Sequence, residues 1–146
     1  MQYIDIHENQ IYIRLAVTDS QDLKLLHFSA LPLHEEDLVK EAIPEGFPFL
    51  SMNLAGFDRP YERHGNKFIV TAPGYRMKYL SHSDERNEFG RLLTFHTKDE
   101  ETGVTAASSW QLYDDLPVIR TWHTVTNNGH ETQTLDYIAN FHYEGI

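Results

Sequence analysis

The part of the sequence that decides the fold reads GVTAASSWQLY at residues 103–113 and PVIRTWHTVTNN at residues 117–128. Both runs alternate and are rich in Val, Ile, Thr, Tyr and Trp, which suit a pleated, half-buried surface. Asp, Gly, Pro and Asn, the residues of tight turns, separate them from their neighbours. The pattern predicts an all-β fold, an antiparallel β-sandwich, with strands at residues 2–7, 11–17, 23–29, 67–71, 75–82, 91–97, 104–113, 118–126 and 132–143.

Turn residues divide these predicted strands. A tight turn is expected around Asn9, and longer turns are expected at residues 84–90, 98–103, 114–117 and 127–130. Asn128 and Gly129 form the strongest hairpin signal, because both residues tolerate a positive φ.

Residues 31–66 differ in character from the rest of the chain, since they hold four prolines and three glycines. They show no sustained period, apart from an acidic stretch at 35–41 that could form at most two helical turns. A long irregular connection inside a compact domain is typically functional or mobile.

Composition narrows the function classes. The chain has 146 residues, the size of one domain, and its formal net charge of −10 argues against a nucleic-acid surface. The absence of cysteine excludes disulfides and thiolate catalysis. No apolar run of about 18 residues predicts a membrane span, and no signal-peptide pattern opens the sequence, so we expect a cytoplasmic protein.

Motifs that carry chemistry are scarce. No HxH, HExxH or other ligand spacing occurs, so no metal site is predicted from the histidines on the expected strands, His7, His27, His82, His96, His123 and His142. Ser108 and Ser109 fall mid-strand, without the sharp turn that activates a serine nucleophile. With no phosphate loop and no distinctive carboxylate pair, the sequence predicts no catalytic residue and no cofactor.

One loop stands out, MNLAGFDRPYER at residues 52–63. It presents Asp58 and Arg59 side by side, with Gly56 giving the backbone freedom and Pro60 fixing φ just after the charged pair. A rigidly held carboxylate and guanidinium suit hydrogen bonding to sugar hydroxyls. Taken on its own, such a pair is more often a surface ion pair in a solvated loop.

Four segments, in order, carry a resemblance to a known family: GFDRP at 56–60, MKYLSH at 77–82, YDDLPVIR at 113–120 and VTNNG at 125–129. With these motifs the chain resembles, from about Met1 to His142, the N-terminal region of bacterial glycoside hydrolase family 36 α-galactosidases of the lactic-acid-bacterium kind. The family usually reads Gly-Asp-Phe-Arg-x-Pro at the first motif. The order of Asp and Phe is altered here, so Arg59 corresponds more directly than Asp58.

The resemblance implies that residues 1–146 are part of a longer N-terminal supersandwich of the galactose-mutarotase-like kind. The catalytic (β/α)8 barrel, whose two Asp residues carry a retaining mechanism, lies outside this chain, so the chain alone is expected to be inactive. Family members are commonly tetramers, in which a loop of this domain helps to close a neighbouring subunit's sugar pocket. By position, the resemblance implies that Asp58 and Arg59 would bind an α-galactoside such as melibiose or raffinose there, with Phe57 and Tyr61 as walls.

Two other functions remain open. A freestanding carbohydrate-binding β-sandwich would hold sugar on exposed aromatic residues. A mutarotase-like epimerase would need His82 or His123 to face a carboxylate on one concave sheet face. Because free strand edges template pairing between chains, we also expect dimers or larger species held by edge strands or by residues 31–66.

Overall fold

The computed structural model describes residues 1–34, 36, 48–57 and 72–143, and in this part of the chain almost every regular element is a strand. One short helix, α1 (Ala72–Arg76), accompanies the strands β1 (Gln2–Glu8), β2 (Ile11–Val17), β3 (Leu23–Ser29), β4 (Met52–Leu54), β5 (Lys78–Asn87), β6 (Gly90–Lys98), β7 (Val104–Tyr113), β8 (Ile119–Asn127) and β9 (Leu135–Ile138).

The strands form three antiparallel sheets. Their orders are β1-β2-β3, β5-β6-β7-β8 and the pair β4-β9. Consecutive strands are neighbours in the two larger sheets, as expected where short turns join antiparallel strands. The prediction of an all-β, antiparallel sandwich is therefore confirmed.

A single hydrophobic core joins the sheets. Alternate residues of β2 (Ile11, Ile13 and Leu15) are buried together with alternate residues of β6 and β7, such as Phe95 and Trp110. The strand period of two explains this, because it sends successive side chains to opposite faces. Burying each large apolar side chain contributes about 1.5–3 kcal/mol, which makes this shared core the main stabilising feature of the sandwich.

The first hairpin follows the sequence closely. Asn9 and Gln10 form a two-residue turn with φ of 47° and 66°, the left-handed conformations that such a turn requires. β1 then pairs with β2 without interruption from Glu8↔Ile11 to Gln2↔Val17. The predicted turn around Asn9 is confirmed.

The strand predicted at 75–82 is present but begins and ends later in the chain, and the turn predicted at 84–90 is wrong. Residues up to Arg76 belong to α1, whose first turn accommodates Pro73. β5 then continues to Asn87, leaving only Glu88 and Phe89 in the turn. The charged residues that resemble a turn instead form ion pairs, including Arg91–Asp84 at 2.7 Å across the hairpin.

The hairpin predicted at Asn128 and Gly129 is also wrong. Only β9 is found where a strand is expected at 132–143. It pairs with β4 and not with β8. Close packing explains the difference, since a Cβ on Gly129 would lie 2.1 Å from the carbonyl oxygen of Thr102. This glycine lets the backbone of one turn pack against another turn.

No strand is predicted within residues 31–66, but this region contains β4. All three residues of this strand are buried. The predicted strand at 67–71 lies outside the described residues, as do the predicted helical turns at 35–41 except for Glu36. In the part of the chain that is described, no helix has the length and hydrophobicity needed to cross a membrane.

Candidate functional site: the cleft beside Phe57

Phe57 is the one predicted site residue that the structure describes; Asp58, Arg59 and Tyr61 lie outside the described residues. The chain reaches Phe57 through Gly56, whose φ of +90° is in the left-handed region that favours glycine. The Phe57 N–H donates to the carbonyl of Leu54 at 3.2 Å, and the Ala55 N–H donates to that of Thr134 at 2.8 Å. The end of β4 therefore fixes the direction in which the chain enters the predicted sugar-binding loop.

The side chain of Arg76 packs against the ring of Phe57. Its guanidinium carbon lies 5.0 Å from the centre of that ring, within the range of a cation–π contact. The same guanidinium donates two hydrogen bonds to Asp99, from Nε at 2.9 Å and from Nη2 at 2.7 Å. This fork-shaped pairing fixes the plane of the guanidinium and thereby the surface that faces Phe57.

Asp99 is fully buried and has four hydrogen-bond donors. Besides the two from Arg76, the hydroxyl of Thr102 donates at 2.8 Å and the backbone N–H of Glu101 donates at 3.2 Å. Burial alone would raise the pKa of this carboxyl group, but the hydrogen bonds from Arg76 and Thr102 outweigh it, so the pKa is lowered. Asp99 is therefore a permanently charged anchor at neutral pH.

A cleft of about 580 Å³ opens beside Phe57, and we call it the Phe57 cleft. Its walls come from the turn between β6 and β7 and from the segment after β8, and they carry mostly polar groups: Lys98, Glu100, Glu101, His130, Glu131 and Gln133. Carboxylate and amide oxygens accept hydrogen bonds, while the amide and ammonium groups donate them. Together with one aromatic wall, this chemistry suits a polyhydroxylated ligand.

Two glycines allow the cleft walls to meet. A Cβ on Gly103 would lie 2.7 Å from the Cα of Gly129, so the two backbones are packed more closely than any side chain permits. The φ of Gly103 is +75°, which also favours glycine. The N–H of Asn128 donates to the carbonyl of Gly103 at 3.2 Å and joins the two walls directly.

The histidines of the epimerase alternative lie elsewhere. Nδ1 of His123 is 2.8 Å from the Ser108 hydroxyl, and its Nε2 is 3.0 Å from the carbonyl oxygen of Ala139. Nδ1 of His82 is 2.8 Å from the Tyr79 hydroxyl. These hydrogen-bond partners are hydroxyls and a backbone carbonyl. Asp84, two residues from His82 on β5, is near enough to interact with it electrostatically, but among the described residues neither histidine is hydrogen-bonded to a carboxylate.

Ser108 is not placed to act as a nucleophile, although its hydroxyl is hydrogen-bonded to His123. Ser108 is fully buried in the middle of β7, where no substrate can reach its hydroxyl. Among the described residues, no group of three or more His, Cys, Asp or Glu side chains could hold a metal ion.

Sequence reasoning missed Arg76 and Asp99. A local signal existed for Asp99, because an Asp in a predicted turn typically accepts a hydrogen bond from the backbone N–H two residues further on, here that of Glu101. No local signal pointed to Arg76, because its hydrogen-bond partner Asp99 is 23 residues away in the sequence. Only the tertiary structure brings the two together beside Phe57.

The fold and the cleft define the class of this chain: an antiparallel β-sandwich with a polar cleft at one end. A scan against protein-family models and a search of curated proteins found no match to this chain.

Proposed function

We propose that this chain is the non-catalytic N-terminal sandwich domain of an α-galactosidase-like glycoside hydrolase of family 36. Its role is to help form the sugar pocket of a neighbouring subunit and to hold the subunits together. The substrates are terminal α-galactosides such as melibiose and raffinose. The ordered motifs of the sequence support the family, and the antiparallel sandwich agrees with the fold that the family implies.

The observation that carries the proposal is the anchoring of Phe57 at the rim of the polar Phe57 cleft. Arg76 and Asp99 fix the ring where the chain enters the GFDRP motif. Anchored in this way, the motif can present Asp58 and Arg59 as hydrogen-bonding partners for a sugar, with Phe57 and Tyr61 as walls. An anchored loop loses less conformational entropy on binding than a free one, which favours affinity.

The remaining parts of the proposal follow from the family. The barrel domain supplies both catalytic carboxylates, and no metal or organic cofactor takes part. The protein is cytoplasmic and assembles into a homo-oligomer, which we take to be a tetramer. Sedimentation of the 146-residue chain tests its self-association: a dimer or larger species is expected, and a monodisperse monomer would contradict it.

Hydrolysis of an aryl α-galactoside tests the enzyme assignment. The samples are the 146-residue chain, the complete protein in which the proposal places it, and the complete protein with Arg59→Ala. We expect no activity, full activity and strongly reduced activity, respectively. An active 146-residue chain would overturn the assignment, whereas a fully active variant would keep the family and remove Arg59 from the pocket.

A freestanding carbohydrate-binding module is the second candidate. It is favoured by the fact that the described part of one chain alone forms the Phe57 cleft, without any partner. Galactose binding by the isolated chain, abolished by Phe57→Ala, would support this candidate. The pocket-completing role instead predicts that sugar binds at Phe57 only when the barrel domain is present.

A further inference from the structure

A second groove lies on the outer face of the four-stranded sheet, away from the hydrophobic core. It has a volume of about 360 Å³, and we call it the Trp122 groove; its main lining residues are Phe89, Leu92, Gln111, Tyr113, Arg120 and Trp122. This volume falls within the range of about 300–1,000 Å³ that is usual for small-molecule sites. None of these residues takes part in the Phe57 cleft.

The two tryptophans of the chain face opposite ways. Trp110 is inside the core and only 2% exposed, whereas Trp122 points outward from β8 and is partly exposed. The register explains this, since Trp122 lies opposite Ser109 while Trp110 lies opposite Thr121. On the other side of the groove Phe89, which is 56% exposed, packs edge-on against Tyr113. The groove therefore has aromatic walls that the core does not use.

The guanidinium of Arg120 is a polar group of the groove that remains available to a ligand. Its guanidinium carbon lies 5.6 Å from the centre of the Trp122 ring, near the outer limit of a cation–π contact at about 6 Å. In the described part of the chain no carboxylate pairs with it, although Arg14, Arg76, Arg86 and Arg91 each pair with an aspartate. The chain has a net charge of −10, so carboxylates are plentiful. An arginine that packs on an aromatic ring and not against a carboxylate therefore indicates that its N–H groups donate hydrogen bonds to a ligand.

The floor of the groove is rigid. Gln111 is 4% exposed, and its amide nitrogen donates to the carbonyls of Arg91 at 3.3 Å and Leu112 at 2.9 Å. Its amide oxygen accepts a hydrogen bond from Asn87 at 2.7 Å. Since these hydrogen bonds fix the floor before any ligand arrives, binding requires little reorganisation.

We propose that the Trp122 groove binds a neutral pyranose sugar. The apolar C–H face of the ring would stack on the indole of Trp122, and the hydroxyl oxygens would accept hydrogen bonds from the guanidinium of Arg120. A neutral ligand is favoured over an acidic one, because the net charge of −10 repels anions at long range. This proposal depends on the groove alone and does not require the enzyme assignment.

Titration with sugar, followed by NMR of the two indole N–H groups, tests the proposal. The probes are galactose and melibiose, with galacturonate as the charged comparison, and Trp122→Phe assigns the two signals. We expect saturable shifts at the Trp122 indole with the neutral sugars, and an unchanged signal from the buried Trp110. No saturable shift in the wild-type chain would overturn the proposal, and so would a shift caused only by galacturonate.

Substitutions in the Trp122 groove test whether the sugar binds there. Trp122→Ala and Arg120→Ala should each weaken binding by about tenfold or more, followed through backbone signals of β7 and β8. Leu80→Ala, at the far end of β5, is the matched control and should leave the affinity unchanged. Loss of binding in Phe57→Ala with retention in Trp122→Ala would overturn the proposal and assign the sugar to the Phe57 cleft.

Discussion

Arg76 and Asp99 form a two-point hydrogen-bonded pair, at 2.9 and 2.7 Å, that links the helix before β5 to the turn after β6. Because Arg76 also contacts the ring of Phe57, this pair fixes the entrance of the predicted sugar-binding loop to the sandwich. Asp99 is completely buried, so its charge depends on these donors for stabilisation.

Removing the partner of this buried charge should be costly. We expect Arg76→Ala to lower the free energy of unfolding by about 3 kcal/mol, because it leaves the Asp99 carboxylate buried without its counter-ion. Urea denaturation provides the measurement. Lys98→Ala, which breaks the exposed pair with Glu100, is the control and should change stability by less than about 1 kcal/mol. Equal effects of the two variants would contradict the role of Arg76.

Stability should decline in acid because of Asp99. Its pKa is lower in the folded chain than the unfolded value of about 3.9, so its contribution is fully present above about pH 4. That contribution is lost as the pH falls through the folded pKa, where the carboxylate becomes protonated. Unfolding free energies measured between about pH 2 and pH 7 should show this loss, and the Asp99→Asn variant should show a smaller one.

His123 should cause a second loss of stability on acidification, in a higher pH range than that of Asp99. Burial lowers the pKa of this imidazole, although hydrogen bonds to the carbonyls of Ala139 and Asn140 act in the opposite direction. Because the folded chain favours the neutral ring, stability is highest above the unfolded pKa of about 6.5 and decreases as the pH falls below it. The His123→Gln variant should lack this step, and an unchanged pH profile would contradict it.

The close approach of Gly103 and Gly129 should not tolerate side chains. Gly129→Ala places a Cβ 2.1 Å from the carbonyl oxygen of Thr102, so the two turns must separate. We expect a loss of about 2 kcal/mol or more by thermal or urea unfolding. Gly56→Ala is the control, since its Cβ would meet nothing within 4 Å and only its positive φ opposes the change, at about 1 kcal/mol. A larger effect at Gly56 than at Gly129 would contradict the packing described.

The sequence predicts the larger sheets well where local pattern and tertiary packing agree. β2, β3 and β7 have the expected bounds, because clear turn signals lie on both sides of each strand. β4 was missed because three fully buried residues show no alternation. The hairpin predicted at Asn128 and Gly129 does not form, because contact with Thr102, which is distant in sequence, overrides the local turn preference.

The candidate site was less predictable than the fold. The sequence singled out Phe57, but nothing local indicated that Arg76 would hold its ring or that residues 128–133 would form the opposite wall. Both features depend on contacts between segments that are distant in sequence. Trp122 and Arg120 illustrate the same point, because alternation alone does not distinguish an outward-facing aromatic residue from one in the core.

The most direct test of the central claim is the steady-state kinetics of α-galactoside hydrolysis by the complete protein carrying Phe57→Ala. We expect KM to rise by about tenfold or more while kcat changes less, because the proposed role of Phe57 is to form a wall of the pocket, without a part in the chemical step. Leu80→Ala, which removes an exposed side chain outside both the Phe57 cleft and the Trp122 groove, is the control and should leave both constants unchanged. An unchanged KM in Phe57→Ala would contradict the claim that this end of the sandwich completes a sugar pocket.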